Sequence, residues 1–206
     1  VMLVYNLLLY FSVRDVAYLY YVIFLGALEL SLLNINGLGL QYLWPEWPRI
    51  NEHYPFFAYI GMAALIRYSL DFLDLHQRLP RAGRWLQWLF RIAVAMVPLT
   101  LLVPPPWSYH LNTLLVLAVA LSLFVIGAIS WIKGYTAARL YVAAWSMFLL
   151  GCVVFVLDNV GIIPHTSLGN YAPHIGGGWV AVLLSLALGD RINLLEEQRD
   201  NLSRES

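Results

Sequence analysis

The residues of this chain with reactive or ligating side chains do not form a pattern typical of catalysis. A retinal protein needs a lysine near the middle of a helix, but the only lysine, Lys133, follows the apolar segment 111–132. A metal site needs His, Cys or carboxylate ligands at close spacing, and the five histidines are scattered. An aspartyl protease needs two facing aspartates. Asp71 and Asp158 instead lie toward opposite sides of the membrane that the apolar segments described below are predicted to cross. We therefore expect no enzyme activity, no cofactor and no metal.

Of the ionisable residues inside apolar segments, Arg67, Asp71 and Glu29 are candidates for function, because charge in a bilayer is costly. Arg67 and Asp71 are four residues apart. They share one helix face and can form either a structural ion pair or a switch. Glu29 lies within the apolar segment 16–33. We expect it to be buried, either as a hydrogen-bonded packing residue or as a ligand contact.

A set of polar and aromatic residues lies toward the ends of apolar segments that are poor in arginine and lysine. Such side chains can rim a pocket for a small ligand, although helix capping and anchoring at the membrane surface explain them equally well. Together with Glu29, the predicted ligand-binding set is Asn34, Asn36, Trp44, Asp158, Asn159 and His174.

Two dyads of arginine and aspartate lie at the opposite ends of the apolar segments, which are rich in arginine and lysine. Arg14-Asp15 separates the first two apolar segments, and Asp190-Arg191 ends the last one. Their shared depth suggests that the dyads pair with each other and tie the last helix to the bundle. We predict that both dyads, with Arg67 and Asp71, relay a signal.

The residues after Asp190 favour a helix that continues into water. Ile192, Leu195 and Leu202, with Arg199 as a polar interruption, form a seam at heptad-like spacing. The stretch lacks the basic face and aromatic residues that a helix lying on the membrane prefers. We interpret it as the start of a two-stranded coiled coil, which predicts a homodimer and an effector domain after Ser206.

The composition is that of an integral membrane protein. Of the 206 residues 61% are hydrophobic and 12% are charged, against about 25% charged residues in soluble domains. The apolar runs are continuous, which favours helices over a membrane barrel. The net charge is zero, so no nucleic-acid partner is indicated. The predicted fold class is all-α, a polytopic bundle with membrane lipid as its surroundings.

Seven apolar segments are long enough for spans, if the first is the second half of a longer one. Eleven of the twelve arginine and lysine residues lie toward one side and only Arg49 toward the other, which places the N-terminus outside and the C-terminus in the cytoplasm. The predicted spans are 1–11, 16–33, 55–75, 85–102, 111–132, 139–157 and 173–188. Between them we predict turns at 12–15, 76–84, 103–107 and 133–135, and loops at 37–54 and 158–170.

Four sequence runs resemble one family in combination: YNLLLYFSVRDVAYLYYVIF, NGLGLQYLWP, FLDL followed by LP, and LALGDRINLL. They are similar to the seven-helix membrane domain of bacterial receptors with diverse intracellular signalling modules, over essentially the whole chain. The resemblance implies a sensory role. It also implies an outer sensor domain before the helices and an effector after them, such as a diguanylate cyclase or a histidine kinase.

The sequence thus predicts a membrane sensor domain over residues 1–189 and the start of a cytoplasmic signalling helix over residues 190–206. The protein would lie in a bacterial inner membrane and relay a signal from an unknown small ligand or an outer domain to an effector. The alternative is a small-molecule transporter or a partner-binding membrane protein. For a transporter, Pro98 and the glycines 176–178 are the candidates for broken helices.

Overall fold

The computed structural model describes residues 2–47, 49–159, 162, 171–172 and 174–190. All regular secondary structure in these residues is helical, which confirms the predicted all-α class. The chain divides into two compact units, Val1–Ser122 and Leu123–Ser206. The helices are α1 (Met2–Val13), α2 (Val16–Ile35), α3 (Arg49–Glu52), α4 (Pro55–Phe72), α5 (Leu75–Arg78), α6 (Pro80–Leu99), α7 (Pro105–Ile132), α8 (Ala138–Asn159) and α9 (His174–Asp190).

The central helix of the first unit is α4, which packs against both α2 and α6, while α1 packs against α2. Gly61 allows the close approach of α2, because a Cβ there would lie 3.1 Å from the Cβ of Ala27. The buried Tyr68 ring stacks on Phe72 at 5.3 Å and lies 5.7 Å from the ring of Tyr21 on α2. Aromatic pairs of this kind contribute about 0.5–1.5 kcal/mol beyond the area they bury.

Two prolines that we expected in turns begin helices instead. The predicted basic turn 76–84 is wrong in part, because α6 begins at Pro80. The predicted turn 103–107 is wrong in the same way, because α7 begins at Pro105. Proline is favourable in the first turn of a helix, where its missing N–H would have had no helical acceptor. The arginines 81 and 84 therefore lie on a helix face.

The segment between α2 and α4 is more regular than the loop predicted over 37–54. After α2 the chain turns at Gly37, whose φ of 73° suits glycine. A five-residue π-helix, Gly39–Leu43, and the short helix α3 follow. A side chain at Gly39 would collide with the indole ring of Trp44, so the start of the π-helix requires a glycine to keep Trp44 in this position.

In the second unit, α7 ends at Ile132, and the chain turns at Gly134, whose φ is 93°, before α8 begins. The end of α8 extends beyond the predicted span, so Asp158 and Asn159 are helical rather than part of a loop. The run of glycines 176–178 lies inside the continuous helix α9, and Pro98 lies next to the last residue of α6. Neither of the two predicted candidates for a broken helix interrupts its helix.

Several helices are long and apolar, and α7 exposes apolar side chains. By length and apolar composition, α2 and α7 qualify as membrane-crossing helices, and Ala138–Val154 and His174–Asp190 are shorter apolar helices. On α7 the side chains of Leu114, Leu121 and Val125 are 66%, 53% and 50% exposed. Exposed apolar side chains spaced seven and four residues apart on one helix are typical of a lipid-facing surface.

Candidate functional site

The first candidate region consists of the end of α2, the start of α4, the start of α7 and the segment 36–54. We call it the polar end. Asn34 is 1% exposed, and its Nδ2 donates a hydrogen bond to the backbone oxygen of Ile50 at 3.3 Å. The indole ring of Trp44 stacks on Phe57 of α4 at 6.2 Å. Both predicted residues therefore fasten the segment 36–54 onto the helices.

The start of α7 contributes a second set of contacts to the polar end. The hydroxyl of Tyr109 donates a hydrogen bond to the backbone oxygen of Glu52 at 2.9 Å, and its ring lies 5.0 Å from that of Tyr54. Tyr54 also hydrogen-bonds to the side chain of Asn112. Burial raises the pKa of the Tyr54 hydroxyl, and the hydrogen bond with Asn112 opposes part of that rise.

The polar end also holds buried polar atoms that have no hydrogen-bond partner within the described part of the chain. Buried polar groups normally have partners, supplied by protein, water or ligand. An open pocket of about 360 Å³, lined by Glu46, Trp47, Arg49 and Ile50, lies in the same segment. The unpartnered atoms are Asn34 Oδ1, Trp44 Nε1, Asn51 Oδ1, His53 Nδ1, Tyr59 OH and Asn112 Oδ1.

The other predicted ligand-binding residues have different surroundings. Asn36 caps α2, and its Nδ2 donates a hydrogen bond to the backbone oxygen of Leu32 at 2.8 Å. Our expectation that Glu29 is buried is wrong, because its side chain is exposed on α2. That helix is apolar on all sides, so its sequence does not indicate which face packs.

Three predicted ligand-binding residues belong to the second unit. Asp158 is 1% exposed near the end of α8, and Asn159 ends that helix. His174 begins α9, with its ring 5.8 Å from that of Tyr171. A pocket that joins these residues to Asn34 and Trp44 stays a prediction.

Arg67 connects the three packed helices of the first unit. Its guanidinium lies over the ring of Tyr20 on α2, 5.5 Å from the centroid, and over that of Phe90 on α6, 5.9 Å away. Cation–π contacts of this kind contribute about 0.5–2 kcal/mol each. They offer a charged group favourable neighbours within an apolar bundle. Asp71 lies one turn further along α4 and is half-buried; its pairing with Arg67 stays a prediction.

The dyad Arg14-Asp15 forms the turn between α1 and α2. Arg14 has a φ of 56°, which is unusual for a residue other than glycine. Asp15 caps α2, and its Oδ1 accepts a hydrogen bond from the backbone N–H of Ala17 at 2.8 Å. Such caps are worth about 1 kcal/mol. Asp15 therefore has a structural role in addition to the predicted relay.

At the end of α9, Asp190 has a partner that the sequence did not indicate. Its Oδ2 lies 3.3 Å from Nη2 of Arg139, the second residue of α8. Pairing of Asp190 with Arg14 stays a prediction. Arg191 and the seam residues Ile192, Leu195, Arg199 and Leu202 lie outside the described residues.

Two glycines of the second unit mark close helix packing that the sequence analysis missed. A Cβ on Gly127 of α7 would lie 2.7 Å from Cδ1 of Tyr141, and one on Gly176 of α9 would lie 3.0 Å from Cα of Phe148. Small residues at such positions let membrane helices pack closely. For Gly176 the sequence did contain a signal, the run of glycines 176–178. The run does not indicate which of the three glycines packs against another helix.

Of three comparisons with known proteins, one shows the family of the chain. Neither the curated proteins nor the solved structures searched gave a match. A family model described as 7TM diverse intracellular signalling matches residues 1–191. That match spans nearly all of the 206 residues, and its family is one of sensory membrane domains rather than a known catalytic fold. The chain therefore belongs to the family of seven-transmembrane domains with diverse intracellular signalling.

Proposed function

We propose that this chain is the transmembrane sensory domain of a bacterial receptor, with α1, α2, α4, α6, α7, α8 and α9 crossing the inner membrane. The observation that carries the proposal is the family match over residues 1–191. The bias of arginine and lysine toward one side supports an outer N-terminus and a cytoplasmic C-terminus. Residues 1–189 would sense the signal, and residues 190–206 would begin the signalling helix.

The input would reach the polar end, either from a small ligand or from an outer domain. Its buried polar atoms that have no partner among the described residues could hydrogen-bond to groups of a ligand. The segment 36–54 that carries several of them is held to α2 and α7 by the Asn34–Ile50 and Tyr109–Glu52 hydrogen bonds. A ligand that strengthens or replaces these bonds would shift helices relative to one another.

The output would leave through α9. The Arg139–Asp190 pair joins the end of this helix to the start of α8, and Gly176 packs against the backbone of α8 at the other end. The position of α9 is therefore coupled to that of α8 at two points. The relay would be a population shift between two packings, biased by the ligand's different affinity for each. The effector, not this domain, would carry any catalysis.

The experiment that tests the relay joins a diguanylate cyclase to Ser206 of the full chain and varies the length of the junction. At about 100° per residue, two inserted residues rotate the following helix by about 200°, whereas seven return it to within about 20°. If a dimeric signalling helix drives the effector, a two-residue insertion changes cyclase output in membranes and a seven-residue insertion restores it. Output that does not depend on insertion length would contradict transmission through the helix.

A further inference from the structure

One face of α6 exposes arginine and tryptophan side chains on a helix whose sequence contains no acidic residue. The exposed fractions of Trp85 and Trp88 are 55% and 61%. Arg81, Trp85, Trp88 and Arg91 are spaced four, three and three residues apart, and Arg84 is four residues before Trp88, which places all five on one side of the helix. Leu86, Leu89 and Ala93 are buried on the opposite side. The basic–aromatic face consists of Arg81, Arg84, Trp85, Trp88 and Arg91.

Contacts within the first unit fix part of this face. The guanidinium of Arg91 lies over the ring of Trp88, 5.4 Å from its centroid. Nε1 of Trp85 donates a hydrogen bond to Oγ of Ser122 on α7 at 3.0 Å. The hydroxyl of Ser122 in turn donates to the backbone oxygen of Ala118 at 2.7 Å. The two rings are therefore oriented before any partner binds.

We propose that the basic–aromatic face binds the phosphate headgroup of an anionic phospholipid. Exposed arginines toward the basic end of a membrane-crossing helix are the chemistry that binds anionic lipid headgroups, and tryptophan rings favour the same depth. The guanidinium group can donate two hydrogen bonds to one phosphate. A second copy of the chain fits this face poorly, because it would bring like charges together.

The depth of Arg91 sharpens the proposal. It follows Pro80 by eleven residues, or about 16 Å along the helix axis. Arg84 lies two turns nearer the start of α6 on the same face. An arginine this far along a spanning helix needs a polar partner. We infer that Arg84 and Arg91 hold the lipid phosphate while the ring of Trp88 shields it from the acyl chains. This inference rests on the proposed crossing of the membrane by α6, but it does not depend on the relay through α9.

The test measures lipid binding to the purified, delipidated full chain by native mass spectrometry, with phosphatidylglycerol and phosphatidylethanolamine as probes. The unaltered chain is expected to prefer phosphatidylglycerol. In the double variant Arg84→Gln/Arg91→Gln, binding of phosphatidylglycerol is expected to weaken about 30-fold through the loss of two arginine–lipid contacts. The control Arg78→Gln/Lys133→Gln removes the same charge elsewhere and is expected to bind phosphatidylglycerol like the unaltered chain.

Equal weakening in both double variants would overturn the proposal, because it would reduce the effect to net charge. Equal affinity for the two lipids, or binding of glycerol 1-phosphate as tight as that of phosphatidylglycerol, would overturn it as well. The variant Trp88→Leu keeps every charge, and it provides a second test if the double arginine variant does not fold. It is expected to weaken phosphatidylglycerol binding about fivefold, and unchanged affinity in it would contradict the role of the ring.

Discussion

Replacement of Gly176 by leucine is expected to destabilise the second unit, whereas the same change at Gly178 is not. A Cβ on Gly176 would lie 3.0 Å from Cα of Phe148 and 3.3 Å from the backbone oxygen of Met147, and neither backbone atom can rotate away. Among the residues that the structure describes, none has an atom within 4 Å of a Cβ on Gly178. Overpacking of this kind costs about 1–3 kcal/mol. The measurement is the midpoint of thermal unfolding of the purified full chain in detergent.

The two glycines that follow Gly176 provide the control for this prediction. Leucine is a better helix former than glycine by about 0.8 kcal/mol, so Gly177→Leu and Gly178→Leu are expected to leave the midpoint unchanged or to raise it. A loss confined to Gly176→Leu then reports packing of α9 against α8. Equal midpoints for all three variants would mean that α9 does not approach α8 in the way described.

Reversal of one charge in the Arg139–Asp190 pair is expected to change the output of the cyclase fusion about fivefold. The two side chains are 59% and 30% exposed, so solvent screening limits the pair to about 1 kcal/mol or less. Exchange of attraction for repulsion shifts a two-state equilibrium by about that amount, or about fivefold. The variants are Arg139→Asp and Asp190→Arg, and cyclase product in membranes is the readout.

The double variant Arg139→Asp/Asp190→Arg restores the opposite charges and is expected to return output toward its starting value. Reversal of the exposed pair Asp74–Arg78, 4.0 Å apart, provides a control outside α8 and α9, with no change in output expected. If the double variant behaves as the sum of the singles, the pair does not couple α8 to α9. Rescue by Arg14→Asp/Asp190→Arg instead would favour the pairing inferred from sequence.

The positions of the helices could be predicted from the sequence, but their packed faces could not. Long apolar segments indicate helices directly, and the spans predicted at 16–33 and 55–75 nearly coincide with α2 and α4. The exposed side of α2 could not be predicted, because this helix carries apolar side chains on all sides and shows no periodic apolar stripe. Glu29 was therefore assigned to the wrong environment.

The candidate sites were predicted less completely, because they depend on contacts between distant segments. Asn34 and Trp44 could be singled out by type and position, but their roles in holding the segment 36–54 depend on Ile50 and Phe57. Arg139 received no role in the sequence analysis, because its partner is 51 residues away. Separations of that size leave no local signal in a single sequence.

The central claim is that the helices cross the membrane with their basic ends in the cytoplasm, and cysteine labelling in intact cells tests it most directly. In a Cys152→Ala background, single cysteines replace Glu46, His110, Gln77 or Lys133, all of which are exposed, and are treated with a membrane-impermeant maleimide. We predict that cysteines at 46 and 110 react in intact cells, and that those at 77 and 133 react only after the membrane is opened. Reaction of 77 or 133 in intact cells at the rate of 46 would contradict the proposed arrangement.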